Sequence, residues 1–282
     1  MRRIYIEITD LCGLNCHFCP PHKQSAEPMT LALFESAAAQ AARFVREVAL
    51  YVLGDPLMVE NLTEYLDICD RRSLRVALTT VGLELVKGDR HALLERTLLH
   101  SAIKQINFSV SGFLANKTAV SLEEYLRTLF GFVQSARLAR SAAFINFRLW
   151  NGENAGNAAV IERLRELFGA GDRGENPYIQ LAPKTRIVFD RQFEWAVLGN
   201  PALAANGRCL GAKEQLAILK DGRVTACCID HAGALSFGSI TTHTIEELLH
   251  TDRAKRLIAG FRAHKLVEPL CQTCGFRTRF DR

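Results

Sequence analysis

The sequence has no apolar run that approaches the roughly 20 residues needed to span a bilayer. Arg2 and Arg3 precede a short apolar segment, but Glu7 and Asp10 interrupt it before the hydrophobic stretch of a signal peptide can form. We therefore expect a cytoplasmic protein with no membrane partner.

The sequence also has no basic run and no low-complexity segment. Its net charge of +5 is dispersed, and basic residues such as Arg71, Arg72, Arg137 and Arg140 lie on predicted helix faces that solvent would cover. Nucleic-acid sites combine clustered basic residues with aromatic ones. The charge pattern therefore argues against a nucleic-acid partner and leaves a small molecule or a peptide as the substrate.

Cysteine, in contrast, is abundant, with 9 residues in a chain of 282. A hydrophobic content of 48% is ample for a core, so the fold does not need disulfides. Cysteines that stay reduced serve metal ligation or catalysis more often than crosslinking. Seven of them fall into two sets, and Cys228 is adjacent to a member of the second. Cys69, on a predicted helix, is expected to be a buried small hydrophobe.

Strand and helix patterns alternate along the first two thirds of the chain. Strands are predicted at 3–9, 47–53, 74–80, 105–110, 143–150 and 178–181, with an extension of the last to residue 189 left open. Helices are predicted between them, at 30–44, 61–72, 89–101, 121–140 and 157–168. This order predicts an α/β fold with a parallel sheet, whose functional residues lie at the carboxyl ends of the strands.

The alternation stops near residue 199, where we place a domain boundary. Beyond it, an Asp221-Gly222 turn predicts a hairpin of strands at 215–219 and 223–226. A helix is predicted from Thr244, whose capping-box partner is Glu247. The sequence therefore predicts a main domain over 1–195 and a small α+β domain over 200–282.

The first cysteine set is Cys12, Cys16 and Cys19, directly after the first strand. A short loop can turn all three thiols toward one centre. Zinc sites usually close at four ligands, whereas iron-sulfur clusters take thiolates from irregular cysteine-rich loops. Three ligands would leave one iron open for a further molecule; a zinc knuckle or scattered structural thiols are the alternatives.

This spacing, with Phe18 before the last cysteine, resembles the signature of the radical S-adenosylmethionine (SAM) superfamily. The resemblance implies a partial (β/α)6 TIM-like barrel, open on one side, and a 4Fe-4S cluster held by the three cysteines. In that family the open iron binds SAM, and the reduced cluster cleaves it to methionine and a 5'-deoxyadenosyl radical. An electron donor such as flavodoxin or ferredoxin is implied as a partner.

The resemblance extends to the residues that contact SAM. Gly54-Asp55-Pro56, after the second strand, resembles the Gly-Gly-Glu-Pro motif that binds the amino group of SAM, although the first glycine is Leu53 here and the glutamate is Asp55. The aspartate is one methylene shorter than the glutamate, and the resemblance implies that SAM contacts the backbone of this turn and Asp55. Without its position after strand two, the tripeptide would be an ordinary turn.

Four further SAM contacts are implied by position, besides Phe18. Thr80 lies in the turn after strand three, and Ser109 lies where strand four of the family carries a serine. Arg148, on strand five, fits the arginine that pairs with the carboxylate of SAM, and Asn146 shares its face because strand side chains alternate. For Arg148 the alternative is a surface residue on an edge strand.

The second cysteine set is Cys209, Cys227, Cys271 and Cys274, which could hold zinc or a second 4Fe-4S cluster. Gly222, 12 residues after Cys209 and 4 before Cys227, makes the pattern resemble the SPASM and twitch domains of radical SAM enzymes. With only two cysteines after it, the shorter twitch form with one auxiliary 4Fe-4S cluster is implied. Cys228 is the alternative to Cys227 as a ligand.

The spacing is most similar to that of the radical SAM dehydrogenase of butirosin biosynthesis. It implies an enzyme, an oxidoreductase that abstracts a hydrogen atom from an unidentified substrate and oxidises it with help from the auxiliary cluster. A peptide or protein maturase that forms a crosslink or an oxidised side chain is the alternative within the superfamily. A non-catalytic iron-sulfur or zinc scaffold is the alternative of another class.

Oxidation also needs a base for the proton that the substrate loses. Candidates by location only are Lys184, Arg186, Asp230 and His231. For each of them an ordinary polar residue is the alternative.

Overall fold

The computed structural model describes residues 1–21, 24–171 and 176–281. The strands are β1 Arg3–Ile6, β2 Glu47–Ala49, β3 Arg75–Thr80, β4 Ile103–Ser109, β5 Phe144–Trp150, β6 Tyr178–Ala182, β7 Thr185–Asp190, β8 Gln215–Ile218, β9 Arg223–Thr225 and β10 Gly238–Ser239. The helices are α1 Leu31–Ala41, α2 Leu62–Arg71, α3 Leu83–Val86, α4 His91–Leu98, α5 Val110–Leu114, α6 Leu122–Leu138, α7 Ala155–Phe168, α8 Ile245–Leu249, α9 Asp252–Arg262 and α10 Pro269–Gln272. Two 3-10 turns lie at Pro56–Met58 and Phe276–Phe280.

All ten strands belong to one sheet, in the order β10-β9-β8-β1-β2-β3-β4-β5-β7-β6. The run from β1 through β5 to β7 is parallel throughout. The sheet ends in the edge strands β10 and β6. The predicted α/β class is therefore confirmed. Among the described residues, the six parallel strands from β1 to β7 agree with a partial barrel, and β8 adds a seventh parallel strand beside β1.

The sixth parallel strand lies later in the sequence than predicted. The segment predicted as strand six is β6, which pairs antiparallel with β7 in a hairpin, and β7 takes the sixth parallel position. The turn between them contains Pro183 and Lys184, and Lys184 adopts a left-handed φ of 59°. Period-two alternation predicts both strands equally well, so it cannot say which one joins the parallel run.

The sheet also continues across the predicted domain boundary. Strand β8 pairs parallel with β1, with Ile4 opposite Leu216 and Ile6 opposite Ile218. All four of these side chains are fully buried. Strand β1 thus pairs with a strand from the last third of the chain. The division into 1–195 and 200–282 stays a prediction.

Helix starts follow the predicted capping residues. The hydroxyl groups of Thr30 and Ser121 accept hydrogen bonds from backbone amides three residues later, and Thr244 forms the full capping box with Glu247. Strands β1 and β2 are shorter than predicted because the chain leaves the sheet to build the loops described below. Within the described residues, no helix is long and apolar enough to cross a membrane.

Candidate active site

A cavity of about 500 Å³ opens at the carboxyl ends of the parallel strands. The three cysteines of the first set line it, and so do most of the residues predicted to contact SAM. The members of its wall that were predicted from sequence are Cys12, Cys16, Cys19, Phe18, Gly54, Asp55, Thr80, Ser109, Asn146 and Arg148. Pro56 lies beside this wall, buried as the first residue of a 3-10 turn.

The cysteine loop is held in place by polar contacts from distant parts of the chain. The side-chain oxygen of Gln24 accepts hydrogen bonds from the amides of Cys12, at 3.0 Å, and Gly13, at 3.3 Å. The indole of Trp195 donates to the carbonyl of Phe18 at 2.9 Å. These contacts fix the backbone of the loop, so its thiols keep their position at the mouth of the cavity.

Asn116 contacts the loop at a cysteine and was missed by sequence reasoning. Its Nδ2 lies 3.0 Å from Sγ of Cys16, and its Oδ1 accepts a hydrogen bond from the amide of Asn15 at 2.9 Å. Hydrogen bonds from Cys19 and Asn116 lower the pKa of Cys16 to about 7, although burial opposes the shift. A thiolate is the form that ligates iron, so Asn116 favours the ligating state of Cys16.

We expect Asn116→Ala to loosen the first cluster without unfolding the protein. Residues that bond to metal ligands typically change metal affinity or activity by about 10–100-fold when they are replaced. Loss of iron to a chelator, followed anaerobically, should therefore be about tenfold faster or more. Asn61→Ala is the control, because Asn61 precedes α2 with no side-chain cap bond; equal rates in both variants would contradict the assignment.

Gly54 allows the loop after β2 to approach the first strand. Its φ is +72°, and a Cβ at this position would lie 2.4 Å from the carbonyl oxygen of Thr9. A side chain is therefore excluded both by backbone conformation and by space. The close approach places the backbone of residues 53–55 in the cavity wall, beside the cysteine loop.

The carboxylate of Asp55 is already bonded within the protein. Its Oδ1 accepts from the amide of Leu57 at 3.0 Å, and its Oδ2 accepts from the hydroxyl of Thr80 and the amide of Val81, both at 2.8 Å. Burial raises the pKa of this carboxyl, and the three donors oppose the shift. Asp55 and Thr80 thus join the ends of β2 and β3. The amides of Leu53 and Asp55 donate to other residues, so the backbone carbonyls of residues 53 and 54 are the groups that a ligand could use.

Asp55→Ala is expected to destabilise the fold strongly. Three buried donors lose their acceptor, and each unsatisfied donor costs about 1–3 kcal/mol. The free energy of unfolding in urea should fall by about 3–5 kcal/mol in total, since a shared rearrangement reduces the simple sum. Asp70→Ala, on an exposed position of α2, should change it by about 0.5 kcal/mol or less. Similar losses in both variants would show that the three bonds contribute little.

Arg148 lines the cavity two residues after Asn146 on the same face of β5. Its Nη2 pairs with Oδ2 of Asp190 at 3.2 Å, and Nη1 of Arg279 pairs with Oδ1 of the same carboxylate at 3.3 Å. Burial lowers the pKa of Arg279, and the nearby Arg148 lowers it further, although Asp190 opposes both. Two guanidinium groups therefore share one carboxylate at the wall, which favours binding of a second anion there.

The four candidate bases lie in different surroundings, and their role stays a prediction. Lys184 is exposed in the β6–β7 turn and donates to the carbonyl of Ala142. Asp230 is buried, and its carboxylate accepts bonds within its own loop. His231 packs edge-on against Trp195, so among the four only Arg186 lines the cavity. A guanidinium stays charged at neutral pH and is a poor base.

A second, smaller pocket lies among the hairpin of β8 and β9, α9 and the end of the chain. The whole second cysteine set lines it: Cys209, Cys227, Cys271 and Cys274. Burial raises the pKa of each of these thiols, and the other three thiols of the set raise that of Cys227 further. Within the described residues, no three His, Cys, Asp or Glu side chains are close enough to share a single metal ion.

Cys227 and Cys228 face different spaces. Cys227 lines the second pocket, whereas Cys228 lines the first cavity and is hydrogen-bonded to Tyr5. The hairpin that carries Cys227 turns at Gly222, which has a φ of +86°. Four thiols that surround one pocket match the ligand set of a cluster, and the placement favours Cys227 over Cys228 as the fourth ligand.

Comparison with known proteins identifies the C-terminal part of the chain. Residues 209–275 match the family model SPASM, an iron-sulfur cluster-binding domain. This part of the chain is similar to SPASM domains. The match begins at Cys209 and includes Cys274, so it contains all four thiols of the second set. The predicted resemblance to the SPASM group is confirmed, and the shorter twitch form stays a prediction. No curated protein matches the chain.

Solved structures of radical SAM enzymes with SPASM-type domains share the fold. A structure of BtrN in complex with AdoMet and 2-DOIA matches at 16% identity and a TM-score of 0.55, over 96% of this chain and 92% of that one. One of anSMEcpe with AdoMet and the Cp18Cys peptide matches at 13% and 0.61, over 100% and 90%. SuiB of Streptococcus suis, bound to precursor peptide SuiA, matches at 12% and 0.61, over 97% and 69%. The predicted fold is confirmed by these neighbours.

Proposed function

We propose that this protein is a radical SAM enzyme that oxidises its substrate. The observation that carries the proposal is one cavity that joins the three thiols of the N-terminal loop to Gly54, Ser109 and Arg148. Those residues come from three different strand ends, and the same fold in other proteins binds AdoMet. A non-catalytic scaffold would not need the thiol loop, Gly54, Ser109 and Arg148 to line the same cavity.

The residues present fit the proposed cofactors. Cys12, Cys16 and Cys19 would hold one 4Fe-4S cluster, because three thiols of one loop line the same cavity. The four thiols of the SPASM domain would hold the auxiliary cluster. When bound, the clusters and SAM supply reductive SAM cleavage, hydrogen-atom abstraction from the substrate and an acceptor for the electron that oxidation releases.

The protein's own residues then bind and orient the reactants. The backbone at 53–55 would accept the amino group of SAM, while Arg148 would pair with its carboxylate through a planar, bidentate contact. Aromatic side chains form one wall of the cavity: Phe18, Trp150, Phe193, Trp195 and Phe276. Together with a bound substrate they would cover a carbon radical and protect it from side reactions.

We favour a small molecule as the substrate, with peptide maturation as the second candidate. The match to BtrN covers 92% of that chain, whereas the match to SuiB covers 69%. The anSMEcpe structure contains a peptide, and the match covers 90% of that chain, which supports peptide maturation as the second candidate. Consumption of one SAM per oxidised product would support both candidate functions. The mass of the product would distinguish a small-molecule substrate from a peptide.

We also place the protein in the cytoplasm, with a flavodoxin or ferredoxin as electron donor. All nine cysteines are free thiols, as a reducing compartment requires. Reduction of the bound clusters by either donor, in place of dithionite, would support this placement.

Arg148→Ala tests the proposed function. Loss of a charge-assisted bond to the carboxylate of SAM should raise the SAM concentration needed for half-maximal cleavage by about tenfold or more. Formation of 5'-deoxyadenosine under dithionite is the readout. Arg96→Ala, exposed on α4, is the control. If Arg148→Ala cleaves SAM like the control, the assigned SAM site is wrong.

A further inference from the structure

A row of polar side chains crosses four neighbouring strands on the cavity side of the sheet. Thr79 on β3 lies opposite Asn107 on β4, Asn107 opposite Asn146 on β5, and Asn146 opposite Arg186 on β7. All four residues line the cavity. The next row, Ser109 and Arg148, lies two residues closer to the strand ends. The polar row is therefore about 7 Å deeper than Ser109 and Arg148.

Hydrogen bonds fix the orientation of every amide in this row. Nδ2 of Asn107 donates to the carbonyl of Leu78 at 3.1 Å, so its Oδ1 faces β5. That oxygen accepts from Nδ2 of Asn146 at 2.8 Å, which turns Oδ1 of Asn146 toward β7. Nε of Arg186 donates to this last oxygen at 2.8 Å. Because both asparagines are buried, the series holds the guanidinium of Arg186 in one place.

The guanidinium of Arg186 lies between aromatic rings, and its Nη groups are not used within the described part of the chain. Its Cζ lies 4.9 Å from the ring centre of Tyr178 and 5.8 Å from that of Phe144, so aromatic faces hold the group. Within the described residues, it forms no ion pair and its two Nη atoms have no protein acceptor. Arg148 and Arg279, the other arginines of the cavity, both pair with Asp190.

A purely structural role for Arg186 explains less of this arrangement. A structural arginine inside a barrel is usually neutralised by a carboxylate, because an uncompensated charge in a poorly solvated site is costly. Here the row orients the Nε atom of an arginine that lines the cavity, and no described carboxylate pairs with its Nη edge. An arginine held in this way matches the planar geometry of an oxyanion.

We propose that Arg186 binds an oxyanion of the substrate, a carboxylate or a phosphate, at the deep side of the cavity. Asn107 and Asn146 act as positioning residues. The inference rests on the proposed function, since it names the substrate class of the same site. An anion held at this depth would place the rest of the substrate toward the proposed SAM contacts, about two residues nearer the strand ends.

The test uses two probe anions on the full chain, reconstituted with iron and sulfide and saturated with SAM. Saturating SAM occupies Arg148. Sodium phosphate and sodium succinate are titrated at constant ionic strength, and the unfolding temperature gives an apparent affinity, because a ligand that binds the folded state stabilises it. We expect at least one probe to raise the unfolding temperature. Phosphate alone would indicate a phosphorylated substrate, and succinate alone a carboxylate.

Three variants locate the anion. Arg186→Gln should weaken the response by about tenfold or more, Arg186→Lys should give an intermediate response because it keeps the charge without the fork, and Arg96→Gln should respond like the wild type. If Arg186→Gln does not fold, the comparison of Arg186→Lys with wild type decides. No shift with either probe, or an unchanged affinity in the Arg186 variants, overturns the proposal.

The same samples separate this inference from the proposed function. Deoxyadenosine formation without any anion response would leave the radical SAM assignment standing and remove the role of Arg186. An anion response that depends on Arg186, in protein that forms no deoxyadenosine, would keep the role of Arg186 and remove the radical SAM assignment. The unfolding measurement needs no turnover, so each result is obtained independently.

Discussion

Cys16→Ala is expected to abolish the formation of 5'-deoxyadenosine from SAM and to lower the iron content by about four atoms per chain. Cys16 is the buried member of the N-terminal set, and it alone among the three bonds to Asn116. Two remaining thiols cannot hold a cluster that needs three protein ligands. Anaerobic reconstitution, iron counting and separation of the nucleosides after reduction with dithionite measure both effects.

Cys69→Ala is the matched control for this experiment. Cys69 is fully buried on α2, as its predicted role as a small hydrophobe requires, and it lines neither the cavity nor the second pocket. Its replacement should cost some stability and leave iron content and deoxyadenosine formation intact. Deoxyadenosine production by Cys16→Ala at the rate of the control would show that the N-terminal loop does not hold the catalytic cluster.

Cys227→Ala and Cys228→Ala are expected to separate the two metal sites. Cys227 lies in the pocket of the SPASM domain, so its loss should remove about four irons and leave SAM cleavage in place. Cys228 lies in the other cavity, next to Tyr5, so its loss should leave the iron content unchanged. Iron counting together with deoxyadenosine formation distinguishes the two variants.

If Cys228→Ala loses iron and Cys227→Ala does not, Cys228 is the ligand. The hairpin would then have to rotate to bring Cys228 into the second pocket. Loss of SAM cleavage in Cys227→Ala would contradict the separation of the sites. In a third outcome, the wild type contains one zinc, and Cys227→Ala loses it while Cys228→Ala keeps it. That outcome would keep the radical reaction and remove the electron-acceptor role of the SPASM domain.

The sequence predicted those parts of the fold and site that depend on local patterns. Alternating strands and helices gave the parallel sheet, and capping residues gave the starts of α1, α6 and α8. The first cysteine set lies in one loop, and the second flanks a hairpin and ends in a C-x2-C pair, so both spacings are visible along the chain. The convergence of Cys16, Gly54 and Arg148 on one cavity follows from parallel strands, whose carboxyl ends share one edge.

The parts that the sequence did not predict depend on contacts between distant residues. Asn116 reaches Cys16 across 100 positions, and no local pattern marks that asparagine as a partner of a thiol. Asp55 was predicted as a cofactor ligand, but its bond to Thr80, 25 positions away, depends on how β2 and β3 end. The pairing of β8 with β1 is likewise a long-range choice between edges with similar apolar residues.

Reconstitution of the full chain, followed by reduction in the presence of SAM, tests the central claim most directly. Metal counting before reduction and 5'-deoxyadenosine afterwards are the two readouts. Our account predicts about eight irons per chain and formation of deoxyadenosine. A fully loaded and reduced protein that forms no deoxyadenosine would contradict the assignment as a radical SAM enzyme.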